Sequence, residues 1–355
     1  MPPEPRDADA FEPGDLPDIA RPREQTSLVG HDAAEAAFAE AIGSGRLHHA
    51  WLVGGPRGIG KATLAYRVAR YLLAHPEPGY VNQGLAVPPN HPAARQVAAL
   101  SHPNLVALRR TKPPGAKTLP TKISVDAARK ALALFGSTAG GAGYRICIVD
   151  SAEDLNANSA NALLKMVEEP PPRSLFLIVS HAPGRLLPTI RSRCRALTLR
   201  PLGEGEVAEI ISGFGPPFVR PESEALARAA SLSEGSVAQA VAMLDPSAAG
   251  VVAEIETLLS RLDHPDWRRI LALSEKLAGR DSDALFETAL DTLFRFVSDE
   301  LHRRRDESPA RLAALVEVCD KIARAAREAA AYNLDRRPLI LSAFGDLAGA
   351  LRAAA

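Results

Sequence analysis

Residues 54–63, GGPRGIGKAT, have the types and spacing to hold phosphate. Gly55, Gly58 and Gly60 let the backbone curl so that successive N–H groups converge on anionic oxygens, and Lys61 adds a positive charge for the β and γ phosphates. The pattern G-x-x-x-x-G-K runs from Gly55 to Lys61, but the next position, which should offer a hydroxyl to Mg²⁺, is Ala62. Thr63 is a poor substitute, because one step along a helix turns a side chain by about 100°. A second chemical element is YRICIVD, residues 144–150, an apolar run ending in Asp150, a carboxylate suited to a metal-bound phosphate. The residue after it is Ser151, where hydrolysis calls for an acid that orients and deprotonates water. Glu153 reads as a surface residue opening the next helix. Ser180 stands where a γ-phosphate sensor would sit, and Arg191, Arg193 and Arg195 alternate after a short helix in LLPTIRSRCRALTL.

These groups need elements to carry them. Residues 49–53 read as a buried strand before the loop. Residues 64–73 read as the helix after it, whose positive N-terminal end favours an anion. A helix over 33–42 is expected upstream, with Asp32 as N-cap and Glu35 as its reciprocal partner. Residues 76–120 are broken by prolines, as an irregular insertion or a set of short elements. From residue 109 to 130, Arg109, Arg110, Lys112, Lys117, Lys122, Arg129 and Lys130 face one acid, Asp126. That patch suits DNA phosphates, and equally a solvated loop and helix without aromatic interleaving. Residues 159–169 read as a helix with Leu163, Leu164 and Val167 inward, stopped by Pro170 to Pro172. Residues 175–180 read as another buried strand.

Composition sets the frame. The 355 residues suffice for two or three domains, 46% are apolar and 24% charged, and the formal net charge is zero, so any nucleic-acid contact must come from a local patch. Residues 1–24 lack the apolar groups to offset ordering and are expected to form a disordered tail. Nothing at the N-terminus reads as a signal peptide and no apolar run is long enough to span a bilayer, so a cytoplasmic protein is expected. Cys147, Cys194 and Cys319 form no C-x-x-C pair.

ANALLKMVEEPP at 160–171, IRSRC at 190–194 and the phosphate loop together resemble the clamp-loader branch of the AAA+ ATPases, over roughly residues 25–245. The resemblance implies an α/β P-loop nucleotide-binding domain over 25–200, a small helical lid over 201–247 and an all-α oligomerisation collar over 248–355. Residues 246–250 are the expected linker, and Ser308 and Pro309 open one collar helix. The basic run 302–305 reads as a solvated helix end. The resemblance also implies that Arg193 is an arginine finger reaching into a neighbour's ATP site. Implied partners are tau or gamma and delta subunits and, through them, a sliding clamp and primed DNA. Ala62, Ser151 and Ala238, the last in the sensor-2-like GSVAQA at 235–240, depart from the motor subunits of that family. They point to a stationary subunit, neither polymerase nor competent ATPase, with Gly55, Gly58, Gly60, Lys61 and Asp150 as a degenerate nucleotide site. No cofactor is required on this reading, although ATP or ADP binding at the surviving loop stays open. Between Lys61 and Arg145 there is no cysteine, so the zinc module common in the family is not expected, and His75, His91 and His102 read as surface residues. The rival readings are an ATP-hydrolysing motor subunit, another AAA+ ATPase, or a scaffold unconnected with replication.

Overall fold

The computed structural model describes residues 19–77, 84–110, 122–136, 143–214, 223–279, 282–305, 309–332 and 334–353. Contacts divide the chain into two compact units, 1–240 and 241–355. In the first, five parallel strands form one sheet in the order β2-β3-β4-β1-β5. They are β1 (Ala50–Gly54), β2 (Leu105–Leu108), β3 (Arg145–Val149), β4 (Ser174–Ser180) and β5 (Arg195–Thr198). β1 and β4 are buried along their whole length, which is why they read as continuous apolar runs. Side chains alternate across the pleat. Trp51 and Val53 join one core with Phe38, Leu64 and Leu177. Ala50 and Leu52 join the other with Phe176, Leu163 and Ile190.

The helices that matter to the site are α1 (Asp32–Gly43), α2 (Lys61–Ala74), α3 (Pro92–Ala98), α4 (Val125–Gly136), α5 (Ala157–Glu168) and α6 (Pro188–Arg191). The expected α1 capping box is replaced. His31 is the N-cap residue without a side-chain cap bond, and Glu35 instead pairs with Arg67 (2.9 Å) and accepts from the backbone N–H of Leu85 (2.7 Å). A long-range guanidinium offers Glu35 a stronger, charge-assisted partner than a helix-end amide does. On α5, Asn156 caps the helix by accepting from Ser159 N (2.8 Å). Leu163 and Val167 are buried as expected, while Leu164 is half-buried.

Two further expectations change, and a third is narrowed to one of its alternatives. Of the tail, residues 1–18 lie outside the described residues, but Arg23 is buried, donates to Ala98 O (2.8 Å), and offers its own carbonyl to Arg70 (2.9 Å). Two guanidiniums that need carbonyls tie this segment down despite its low apolar content. The proline-punctuated insertion resolves into short elements, α3 and β2. The linker is a helix: α10 (Pro246–Leu259) starts on its proline, with Asp245 accepting from Ser247 N (2.7 Å) and Ala248 N (3.3 Å). Before it come α7 (Glu204–Ser212), α8 (Ser223–Leu232) and α9 (Val237–Leu244).

Every described element of the second unit is a helix. It comprises the end of α9 and all of α10, then α11 (Trp267–Leu277), α12 (Asp283–Arg303), α13 (Pro309–Tyr332) and α14 (Arg337–Ala353), around Ile255, Leu273, Leu293 and Phe344. Ser308 lies outside the described residues. In the basic run, Arg303 and Arg304 both pair with the buried Glu300. No described helix is long and apolar enough to cross a membrane.

Candidate phosphate site and outward arginine

The register gathers the expected groups at one edge. Gly54 pairs with Ser180 and Val149 with Ile178, so the loop after β1, Asp150 after β3 and Ser180 at the end of β4 share the carboxyl ends of the strands. Gly55, Gly58 and Gly60 have φ of 140°, 72° and 97°, left-handed geometry that glycine adopts at little cost. The loop is packed as well as curled. A Cβ on Gly55 would stand 2.8 Å from Leu199 O, and one on Gly58 would stand 2.2 Å from Ser236 Oγ and 2.8 Å from the Ala238 methyl. The N–H of Val237, at the start of α9, donates to Gly58 O (2.9 Å). His31 donates from Nε2 to Ile59 O (2.5 Å), a clasp on the loop that no local pattern in the sequence announced.

Lys61 is only 3% exposed, and its ammonium donates to Pro56 O in the loop itself. Burial brings its pKa down to about 8, partly offset by Asp150 and Glu153. Burial raises Asp150 to about 6, against the pull of Lys61. Ala62 is the second residue of α2 and carries no oxygen, so the loop amides, Lys61 and Asp150 fit a nucleotide's phosphates while the metal lacks its usual hydroxyl.

Glu153 corrects the surface reading. A 3₁₀ turn, Ala152–Asp154, aims it at the end of β4. There its Oε1 accepts from Ser180 Oγ (2.6 Å), His181 N (2.8 Å) and Ala182 N (2.7 Å). Burial alone would raise its pKa, but the bonds from Ser180 and Ala182 outweigh that and leave it below the ordinary glutamate value. Ser180 is therefore fully buried and committed to Glu153. His181 beside it is driven down to about 4 by burial and by the charges of Lys61 and Arg57.

The basic segment partly turns inward. Arg110 pairs with Asp154 (2.9 Å), and Arg109 is lowered to about 10 by burial near Asp150. Lys122 donates to Glu153 O, and Arg129 is exposed. Lys112 and Lys117 lie outside the described residues, and nothing is described of the Lys130 side chain. The three histidines are half-buried structural groups: His75 bonds Tyr71 O (3.0 Å), His91 caps α3 by accepting from Ala93 N (3.2 Å), and His102 accepts from Asn104 N (3.1 Å).

The arginines lie at the other end of the sheet. Arg195 pairs in register with Trp51 and sits over its ring at 4.7 Å, so Arg193 precedes the amino ends of β1 and β5. The phosphate loop leaves β1 at its carboxyl end, three residues or about 10 Å further along the strand. Arg193 is exposed. Its Nη1 donates to Thr189 O (3.1 Å) and its Nη2 pairs with Glu168 (2.9 Å).

Residues 30–203 match the family model described as DNA polymerase III, delta subunit. Over those residues the chain is similar to the DNA polymerase III subunits that this model describes. The delta' subunit of Pseudomonas aeruginosa is 36% identical over 160 residues, covering 45% of this chain and 45% of that protein. The tau subunit of Escherichia coli K12 is 27% identical over 301 residues, covering 79% of this chain and 45% of that one. The chain thus spans about half the length of these relatives. Among solved structures, a gamma subunit-related protein of DNA polymerase III from Thermotoga maritima aligns at 17% identity and TM-score 0.39, over 88% of this chain and 99% of that one. Two relatives with different subunit names meet in one sequence, and its site residues must distinguish them.

Proposed function

We propose that this chain is the stationary, delta-prime type subunit of a cytoplasmic clamp loader, working in a hetero-oligomer with tau or gamma and delta subunits to place a sliding clamp on primed DNA. The observation that carries the reading is the opposition of the two ends of the sheet. At the carboxyl end, the chain's own phosphate loop lacks the metal hydroxyl at Ala62 and a water-orienting acid at Ser151. At the amino end, an exposed Arg193 faces away from that loop, too far along the strand to serve it. An arginine so placed suits a neighbour's phosphates, where a planar fork of donors offsets the charge developing on a transferred phosphoryl group. Gly55, Gly58, Gly60, Lys61 and Asp150 would then form a nucleotide site retained for binding or architecture, and the helical second unit would supply the assembly contacts. No zinc belongs to this reading, since residues 62–144 contain no thiolate.

The motor reading draws on the longer match to tau. Against it stand Ala62, Ser151 and Ala238, each of which removes a group that hydrolysis in this chain would use. The test is Arg193→Ala in a reconstituted complex: assembly persists, while ATP turnover at the site completed by this chain falls by about 10³-fold or more, the scale of supplied arginine fingers. Unchanged turnover and clamp loading would refute the reading.

A further inference from the structure

The guanidinium of Arg193 is engaged by its own chain. A finger acts on phosphate through the two terminal nitrogens of its fork, which match two oxygens at once. Here both are occupied: Nη1 donates to Thr189 O (3.1 Å) and Ser192 Oγ (3.4 Å), and Nη2 pairs with Glu168 Oε1 (2.9 Å). The pair lines a cleft of about 280 Å³ beside His48 and His49. Glu168 is the last residue of α5, where the helix carbonyls disfavour a negative charge. It has reason to keep a cation, and Arg193 is paired with it. A phosphate cannot take the same face of the fork while Glu168 stays, because two anions would share one cation at contact distance.

We propose that Glu168 is a positioning residue that latches Arg193 against its own chain, so that engagement of a neighbouring phosphate requires exchange of one anion for another. The inference rests on the finger reading above and assigns that site a resting state. The pair is exposed, 40% on the arginine side chain and 38% on the glutamate, so the latch is weak. Exposed pairs of this kind correspond to about a two- to fivefold effect on an equilibrium.

The experiment uses the reconstituted loader and ATP, with kcat and KM measured separately. Glu168→Gln should raise kcat/KM for ATP at the site completed by this chain about two- to fivefold, while Glu168→Asp, which keeps the charge, should stay nearer wild type. In an Arg193→Ala background the same Glu168→Gln change should have no effect, because its only route is through the arginine. A fall in kcat/KM with Glu168→Gln would overturn the latch and make Glu168 a support that presents the finger. No change, or an effect that persists without Arg193, would also overturn it. If Arg193→Ala itself leaves turnover intact, the finger reading fails, and that outcome is separate from the others.

Discussion

Removal of the Glu153 carboxylate should destabilise the first unit measurably. One oxygen, Oε1, receives three donors, from Ser180 Oγ, His181 N and Ala182 N at 2.6 to 2.8 Å. Glu153→Ala strands all three at the end of a fully buried strand. Buried donors left unsatisfied cost about 1 to 3 kcal/mol each, but this carboxylate is only half-buried and water can replace part of the loss, leaving about 3 kcal/mol. For a unit of this size that is a fall in Tm of about 6 to 12 °C. Glu153→Gln should lie between the two: its neutral oxygen accepts less strongly, and its amide nitrogen would occupy the place of Oε2, a buried atom with no partner among the described residues. Because the folded carboxylate titrates below the ordinary value, its stabilisation is present above about pH 4.3 and is lost as pH falls through the folded pKa. The gap in Tm between wild type and Glu153→Gln should therefore close in acid. A Glu153→Ala protein that melts within 1 °C of wild type at pH 7 would refute the three-donor account.

Asp150 should act with the opposite sign. Its pKa is raised to about 6, so between about pH 4 and 6 the folded state holds a proton that the unfolded state has lost, and stability falls as pH rises. Asp150→Asn should remove that descending limb in urea titrations at several pH values and stabilise the protein at pH 7 by at most about 3 kcal/mol, with an unaltered slope counting against the assignment. Gly58→Ala should cost about 2 to 4 kcal/mol, from a left-handed φ and a clash with Ser236 Oγ, and adding Ser236→Gly should restore part of it in thermal melts; full stability of the single variant would contradict the close packing of α9 on the loop. Ala62→Ser should tighten Mg-ATP binding without creating turnover. Even combined with Ser151→Glu and Ala238→Arg the isolated chain should stay slow, since no neighbour supplies an arginine. Phosphate release by wild type or by Ala62→Ser at rates typical of a motor would reverse the assignment of motor and stator.

The Gly-rich loop and the strand ending in Asp150 were legible in the sequence because each rests on local rules, whereas Arg193 was singled out only through the clamp-loader resemblance. Glycines at fixed spacing permit a left-handed curl, an apolar run bounded by polar residues makes a buried strand, and Ala62 is visibly not Ser or Thr. The α/β domain and the all-α C-terminal region were expectations carried by the clamp-loader resemblance. What local rules could not supply was any interaction whose partners are far apart in sequence. Glu35 had a plausible use three residues from Asp32, yet Arg67 and Leu85 claim it, because a part-buried charge-assisted pair outcompetes an exposed cap. Glu153 looked like surface until a 3₁₀ turn and the register of β4 against β3 set it beside three donors. Arg23 looked like tail until two distant partners held it. The linker at 246–250 carried a proline that serves a loop or a helix start equally well, and only Asp245 in capping geometry decided between them. The opposition of Arg193 to its own phosphate loop is likewise a fact of strand direction: both lie close to β1 in space, and only the sheet determines that they are at opposite ends of it.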